Sequence, residues 1–431
     1  MSEHMLIVGN GREIPGLARQ ARPGLRTTML VRLDALPRVR DQSSHARLIG
    51  LPHDRGVSEW VEMARAIHAR DPFDHLATYG ERDQDKAAAI GAVLGLRTHS
   101  PETVRWVHDK LALRERLAAL GVDPTPSRRV RGVDEAADFG REYGYPFVLK
   151  PIAGTASAGV TVVPGPIDVA AAWAWAAAVK AVESDEIVAE SYLDGTELSV
   201  EAFSENGEHR VVCLTGKVKT AGHCVELGHV VRGPFDDATC EVVSRFTVAV
   251  LDALGVRDGV THTEVIVTAD GPHVVETHLR PAGDEIPEMI HDTYGVDLID
   301  LLVRQSLGDR LLNRLDRELK AAADIAGYAA IWYATPAASG RIVSVTGLES
   351  ARAMPGVISV ELLKQVGDHL PTQVTDSGTR AVAARGVADD PREALQRARA
   401  AAEAVRFTVE AVPAFGENSA PEIAWGFSLD Q

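Results

Sequence analysis

Residues 261–284 read THTEVIVTADGPHVVETHLRPAGD, and the pairing inside this stretch decides the fold. Two apolar runs, Thr263–Thr268 and Pro272–His278, flank Ala269-Asp270-Gly271, the pattern of a β-hairpin. With a three-residue loop at 269–271, Thr268 faces Pro272 and Glu264 falls opposite Glu276. Side chains alternate along a strand, so Glu276, His278 and Arg280 share one face, and Glu264 joins it across the ladder. Two opposed carboxylates repel, which asks for a positive group between them. A divalent cation held by oxygen ligands is the natural candidate. A two-residue loop would break this pairing. The plainer alternative is a solvated face on which Glu, His and Arg neutralise one another.

Two segments upstream carry related chemistry. In FVLKPIAGTASAGVTVV (147–163), Lys150 ends an apolar strand, and Gly154-Thr155-Ala156-Ser157-Ala158-Gly159 then offers only small residues. Such a loop lets backbone N–H groups approach phosphate oxygens while the lysine adds a point charge. No GK[ST] follows, so this is not a Walker A loop, and a plain hairpin tip with a solvated lysine is its bland reading. In IVAESYLDGTELSVEAF (187–203), a strand ends at Glu190 and another starts at Gly195-Thr196-Glu197. Such a connector can present backbone groups to a base edge and carboxylates to ribose hydroxyls. It is equally an ordinary strand connection.

Around these segments the chain is organised in blocks. Its 431 residues exceed a single core, so two to four domains are expected. Residues 1–100 alternate strand (Met5–Val8, Arg26–Val31) with helix (Ser58–His68, Asp83–Leu94), the pattern of a Rossmann-like α/β domain. Glycines 9, 11 and 16 miss GxGxxG because Ile14 breaks it, and a strand-to-helix turn explains them. Asp109–Leu120 is an amphipathic helix stopped by Gly121 and Pro124. Residues 101–320 form a β-rich core in two lobes, about 125–190 and 191–320, with Asn206-Gly207 marking another hairpin. Residues 321–410 restart a strand pattern that ends in a helix from Pro391, a separate α+β domain. Residues 411–431 read as a tail.

The net charge of −16 argues against nucleic acid or an anionic membrane as partner. A polyanion such as ATP then needs locally concentrated cations, and with 8 lysines against 37 arginines each lysine beside a glycine-rich loop stands out. No apolar run reaches the length of a membrane span, and the N-terminus lacks the basic region of a secretory signal, so a cytoplasmic protein is expected. Cys213, Cys224 and Cys240 lack CxxC spacing and read as reduced structural thiols.

Taken in order, the three segments resemble the ATP-grasp superfamily over roughly 100–310. ERDQDKAAAIGAVLGL and HDKLALRERLAALGVDPTPS look like its lead-in. The resemblance implies that Lys110 and Lys150 contact nucleotide phosphates. It makes Gly154, Thr155, Ala156, Ser157, Ala158, Gly159 and Val160 a phosphate lid. It makes Glu190, Ser191, Tyr192 and Leu193 the adenine hinge, with Glu197 at the ribose. Glu264 and Glu276 would hold Mg²⁺, and Arg280 would steady the transferring phosphoryl group. His278 stands where the family often has Asn. Imidazole suits hard Mg²⁺ poorly, so either His278 lies near the metal without ligating it, the preferred option, or Mn²⁺ is tolerated.

ETHLRPAGDEIPEMI (276–290) looks most like the L-amino-acid ligase branch, and Lys217 with CVELGHVVRGPF (224–235) is similar to its substrate-side loop. Residues 341–405 resemble that branch's C-terminal domain. The implied activity is ATP-dependent amide or peptide bond formation between a small carboxylate and an amine, through an acyl-phosphate, with release of ADP and phosphate. Arg280, Lys217 and His229 are the candidate catalytic residues. Glu226, Gly283 and Asp284 are candidates for substrate binding, with Glu226 and His229 both open as the base. Competing readings are a carboxylase or purine-pathway enzyme of the same superfamily and a silent nucleotide-binding protein. A homodimer is an open option.

Overall fold

The computed structural model describes residues 2–11, 13–52, 54–153, 159–178, 186–220, 225–322, 327–335, 339–371, 377–411 and 423–425. The expected lid positions Gly154–Ala158, and Cys224, lie outside the described residues.

The first block is a four-stranded parallel sheet in the order Arg47–Leu51, Arg26–Arg32, His4–Val8, His75–Ala77. All of His4–Val8 is buried, as expected of a central parallel strand covered on both faces. Helices Val57–His68 and Gln84–Leu94 pack through Trp60, Ala64, Ala87 and Ile90 on one side. Ile14–Ala21 lies on the other with Leu298–Ser306, so the later block buries part of the first.

A second, antiparallel sheet runs Ser127–Val130, Ile187–Ser191, Phe147–Pro151, Thr161–Val163. Helices Val133–Tyr143 and Val169–Ala178 close it around Phe139, Phe147 and Leu149. Asp109 caps the helix Lys110–Ala119, accepting from the N–H groups of Leu111 and Ala112 at 2.9 and 3.0 Å. The Lys110 N–H donates to the Ile152 carbonyl at 3.3 Å, so the start of this helix is tied to the end of the Lys150 strand.

The third sheet has nine strands. It runs Gly271–His278, Gly259–Thr268, Gly195–Glu205, Glu208–Thr220, Glu226–Val231, Tyr328–Ala334, Val382–Ala388, Val357–Leu362. Ile423–Trp425 pairs with the far end of Glu208–Thr220, so the tail contributes a short strand. The sheet crosses residue 320: Glu226–Val231 pairs directly with Tyr328–Ala334. The pattern restarts near 320 in sequence, but hydrogen bonding continues through it. The helix Pro391–Ala404 packs on these later strands through Ala394, Leu395 and Ala398, and a small sheet of Gly340–Thr346, His369–Leu370 and Arg406–Ala411 stands beside them.

The decisive hairpin differs from expectation in one detail. Thr268 pairs with Gly271, so the loop has two residues, Ala269 and Asp270, not three. A bulge then skips Val275, and Glu264 lies opposite Glu276 after all, with His262 opposite His278. The inserted residue restores the alternation that the shorter loop would have reversed.

Gly195 shows how closely the middle strands approach. A Cβ there would lie 2.2 Å from the Val267 carbonyl oxygen, an atom that cannot swing away. Gly195→Ala is expected to cost about 1–3 kcal/mol, read from the urea midpoint of unfolding.

Candidate active site

One face of the nine-stranded sheet carries the polar side chains. Strand pairing lines them up: His278 and Glu276, then His262 and Glu264, then Ser199 and Glu201. Lys217 follows on the next strand and its cross-strand partner His229 on the one after. Because β side chains alternate, pairing through successive ladders turns separate sequence positions into one polar stripe.

Each opposed glutamate has a lysine. Lys217 Nζ lies 2.5 Å from Glu264, 3.3 Å from Glu197 and 3.7 Å from Glu226. Lys110 Nζ lies 3.2 Å from Glu276. Burial would raise both carboxyl pKa values, but the facing Lys217 and Lys110 outweigh it and hold Glu264 and Glu276 well below the usual range. Burial would likewise neutralise Lys217, yet its carboxylate neighbours raise it. Glu197, the expected ribose ligand, has its carboxylate engaged by both Lys217 and Lys219.

The opposite wall comes from the lobe around the second sheet. Lys150 Nζ lies 2.8 Å from Glu190, and Arg114 bridges Glu190 and Asp123 at 3.0 Å each. Burial, helped by Arg114 and Lys110, outweighs the pairing with Glu190 and lowers Lys150. Glu190 stays ionised: burial opposes it, but Arg114 and Lys150 bring it down to about 2. The Glu190 side chain therefore turns toward cations.

The N-terminal block adds a residue that the sequence did not announce. Glu81 accepts from Arg280 Nε at 2.8 Å and lies 3.0 Å from His278 Nδ1. His278 Nε2 is 3.0 Å from Glu276. Burial opposes the charged imidazole, but Glu276 and Glu81 raise its pKa. With carboxylates on both ring nitrogens, His278 has no lone pair turned to a metal. Glu81 itself is pulled to about 2 against burial by His278 and Arg280.

At the other end of the stripe, His229 Nε2 lies 3.0 Å from Asp284. Arg380 grips the same carboxylate through two bonds of 2.7 and 2.8 Å, and its guanidinium sits 3.8 Å from the Tyr333 ring centre. His229 Nδ1 is buried and meets no hydrogen-bond partner among the described residues. Asp284 and Glu285 both take left-handed backbone angles, φ 55° and 56°, just ahead of the helix Ile286–Tyr294. Non-glycine residues seldom hold such angles, and the Arg380 grip fixes one of them.

The structure thus brings together Lys110, Lys150, Glu190, Glu264, Glu276, His278 and Arg280 as one cation–carboxylate chain. Lys217, Glu197, Glu226, His229 and Asp284 continue it. Sequence reading missed Glu81, Arg114, Asp123, Glu201, His262, Lys219 and Arg380. Glu201 sits inside a strand already identified and His262 directly precedes one, so carrying the alternation one residue further would have found both.

An ATP-grasp domain model matches residues 143–288. Residues 143–288 are therefore an ATP-grasp domain, and Lys150, Glu190 and the paired Glu264 and Glu276 fall inside the match. A second model, L-amino acid ligase C-terminal domain 2, matches 332–410, so the chain carries an ATP-grasp domain followed by a domain of that kind. An L-arginine-specific L-amino acid ligase of Bacillus subtilis is 21% identical over 69% of this chain and 71% of its own length. Dapdiamide A synthase of Enterobacter agglomerans is 27% identical over 60% and 62%. The chain spans 54–71% of the length of the first curated relatives it matches. The crystal structure of an L-amino acid ligase from Bacillus licheniformis superposes with a TM-score of 0.78 at 19% identity, covering 95% of this chain and 99% of that one, a likeness of fold. Among the described residues no helix is long and apolar enough to cross a membrane.

Proposed function

We propose that this chain joins the carboxylate of one small substrate to the amine of another, using ATP and an acyl-phosphate intermediate, with amino acids or amino-acid-like molecules as substrates. The observation that carries the reading is the facing of Lys110 and Lys150, across Glu190 and Glu276, in a chain whose overall charge repels polyanions. A carboxylate is a poor acyl donor at neutral pH. Transfer of the γ-phosphoryl group gives it a leaving group, and such transfer is mainly positioning and charge neutralisation. Lys110, Lys150 and Arg280 supply cations. In this reading Gly159 and Val160 belong to the lid, Ser191–Leu193 to the adenine hinge, and Glu197 would serve the ribose.

The donor set fits Mg²⁺. Glu264 and Glu276 offer hard oxygens from paired strands, and Mg²⁺ commonly takes one or two carboxylates together with phosphate oxygens and water. When bound, the ion would offset phosphate charge. His278 is removed from the ligand set, because both its nitrogens serve carboxylates.

For the second half-reaction, His229 is favoured over Glu226 as the base. Asp284 orients its Nε2 side, leaving Nδ1 able to accept a proton from the attacking ammonium. The backbone N–H groups at Gly283–Asp284 and Arg280 would serve as donors to the oxyanion.

An ADP-release screen over pairs of amino acids and small carboxylates, followed by mass spectrometry of active pairs, tests the reading. ADP release that needs both an acid and an amine, with a product lighter by one water than their sum, is the expected result. Nucleotide binding without substrate-dependent ADP release in every pair would instead favour a silent binder.

A further inference from the structure

The two opposed glutamates are each held by a histidine, and each histidine is held by a second, more remote glutamate. His262 Nδ1 lies 2.7 Å from Glu201 Oε1, and His262 Nε2 lies 3.4 Å from Glu264 Oε1. His278 Nδ1 lies 3.0 Å from Glu81 Oε1, and its Nε2 lies 3.0 Å from Glu276 Oε1. The two imidazoles stack, with centroids 5.7 Å apart and planes 22° from parallel. Strand pairing builds this arrangement, since His262 lies opposite both His278 and Glu201.

Glu201 is fully buried and touches none of the lysines or arginines that line the nucleotide side. Its Oε1 also accepts from Ser199 Oγ at 3.1 Å, and its Oε2 meets no hydrogen-bond partner among the described residues. A carboxylate buried this deeply costs stability unless something is gained by it. A residue placed only for packing would be apolar at a position with no exposure.

We propose that Glu201 is a positioning residue: through His262 it aims the Glu264 carboxylate at the metal–nucleotide site, as Glu81 aims Glu276 through His278. A carboxylate that reaches the site only through an intermediary can still fix the rotamer and direction of the group beyond it, and outer-shell partners of this kind tune metal affinity. The stacked rings tie the two carboxylates together, so that the pair keeps one spacing. This inference rests on the metal–nucleotide role of Glu264 and Glu276 given above.

The experiment uses the full chain as E201Q and H262Q, with E264Q as reference. Mn²⁺ binding in the presence of a non-hydrolysable ATP analogue is followed by electron paramagnetic resonance, with thermal unfolding alongside. E201Q and H262Q are expected to bind Mn²⁺ about 10–100-fold more weakly than the parent chain. Raising Mg²⁺ should recover kcat, and KM for ATP at saturating metal should stay unchanged. A role in packing alone would lower the melting temperature without moving metal affinity. Parent-like Mn²⁺ affinity in whichever of E201Q and H262Q folds overturns the positioning role. If E264Q itself retains parent-like Mn²⁺ affinity, the metal site fails first and the positioning role falls with it. If E264Q loses the ion while E201Q and H262Q keep it, the positioning role alone is wrong.

Discussion

A Glu276→Gln protein should fold, yet release ADP on the order of 10²–10³-fold more slowly than the parent chain. Gln keeps the size of Glu276 and can still accept from His278 Nε2, which lies 3.0 Å away, but it removes the negative charge. That charge faces Lys110 at 3.2 Å and lies opposite Glu264 across the ladder. Lys110 also feels Glu190 and Glu81, so losing one carboxylate does not strand it as an unpaired buried cation. The fold should therefore survive while the oxygen pair for a metal–nucleotide complex is halved. The check is a coupled ADP assay with circular dichroism on the same sample. Parent-like turnover by a folded E276Q chain would contradict the metal role of the glutamate pair.

The Glu276 result depends on a hairpin that could be read from sequence, though for a reason that was half wrong. Alternation along 261–278 puts the two glutamates on one face. A three-residue loop seemed necessary for their pairing, whereas the chain uses two residues and a bulge at Val275. Bulges depend on the neighbouring strand, here Gly195–Glu205, and no local pattern announces them. The strand ending in Lys150 and the helix beginning at Lys110 were legible because each has a local marker: an apolar run in one case and the Asp109 cap in the other.

Other features had no local marker, or had one that composition obscured. Asp237–Ala253 is a helix rich in Val, Thr and Phe, residues that favour strands, although Asp236 caps it. Arg47–Leu51 and His75–Ala77 are short parallel strands whose partners lie far away in sequence. Glu81 lies in a loop of the first block and meets Arg280 some 199 positions later. Arg380 reaches Asp284 across 96 positions. Such contacts are made by tertiary approach, not by periodicity. The boundary near 320 shows the same limit, since the pattern restarts there while the sheet runs on.

The same distinction makes Arg114 the position whose loss should most harm the fold. It looks like one basic residue on an amphipathic helix, yet only 2% of its side chain is exposed and it bridges Asp123 and Glu190 at 3.0 Å. Arg114→Met fills the space but leaves two buried carboxylates short of a cation, a loss of about 3–5 kcal/mol by analogy with broken buried pairs. Asp123 retains Thr125 and the Val274 N–H, and Glu190 retains Lys150, so the lower end of that range is expected. The acid limb gives a separate reading. With its folded pKa at about 2, below the unfolded value, ionised Glu190 contributes stability above the unfolded pKa. That contribution fades as pH falls toward the folded pKa. Removing Arg114 raises the folded value, so in R114M ionised Glu190 should contribute less at neutral pH, and the loss of stability between pH 7 and 3 should be smaller than in the parent and end at a higher pH. Urea midpoints measured from pH 7 down to pH 3 test both parts, and parallel curves for the two chains would mean that Arg114 does not hold Glu190 ionised.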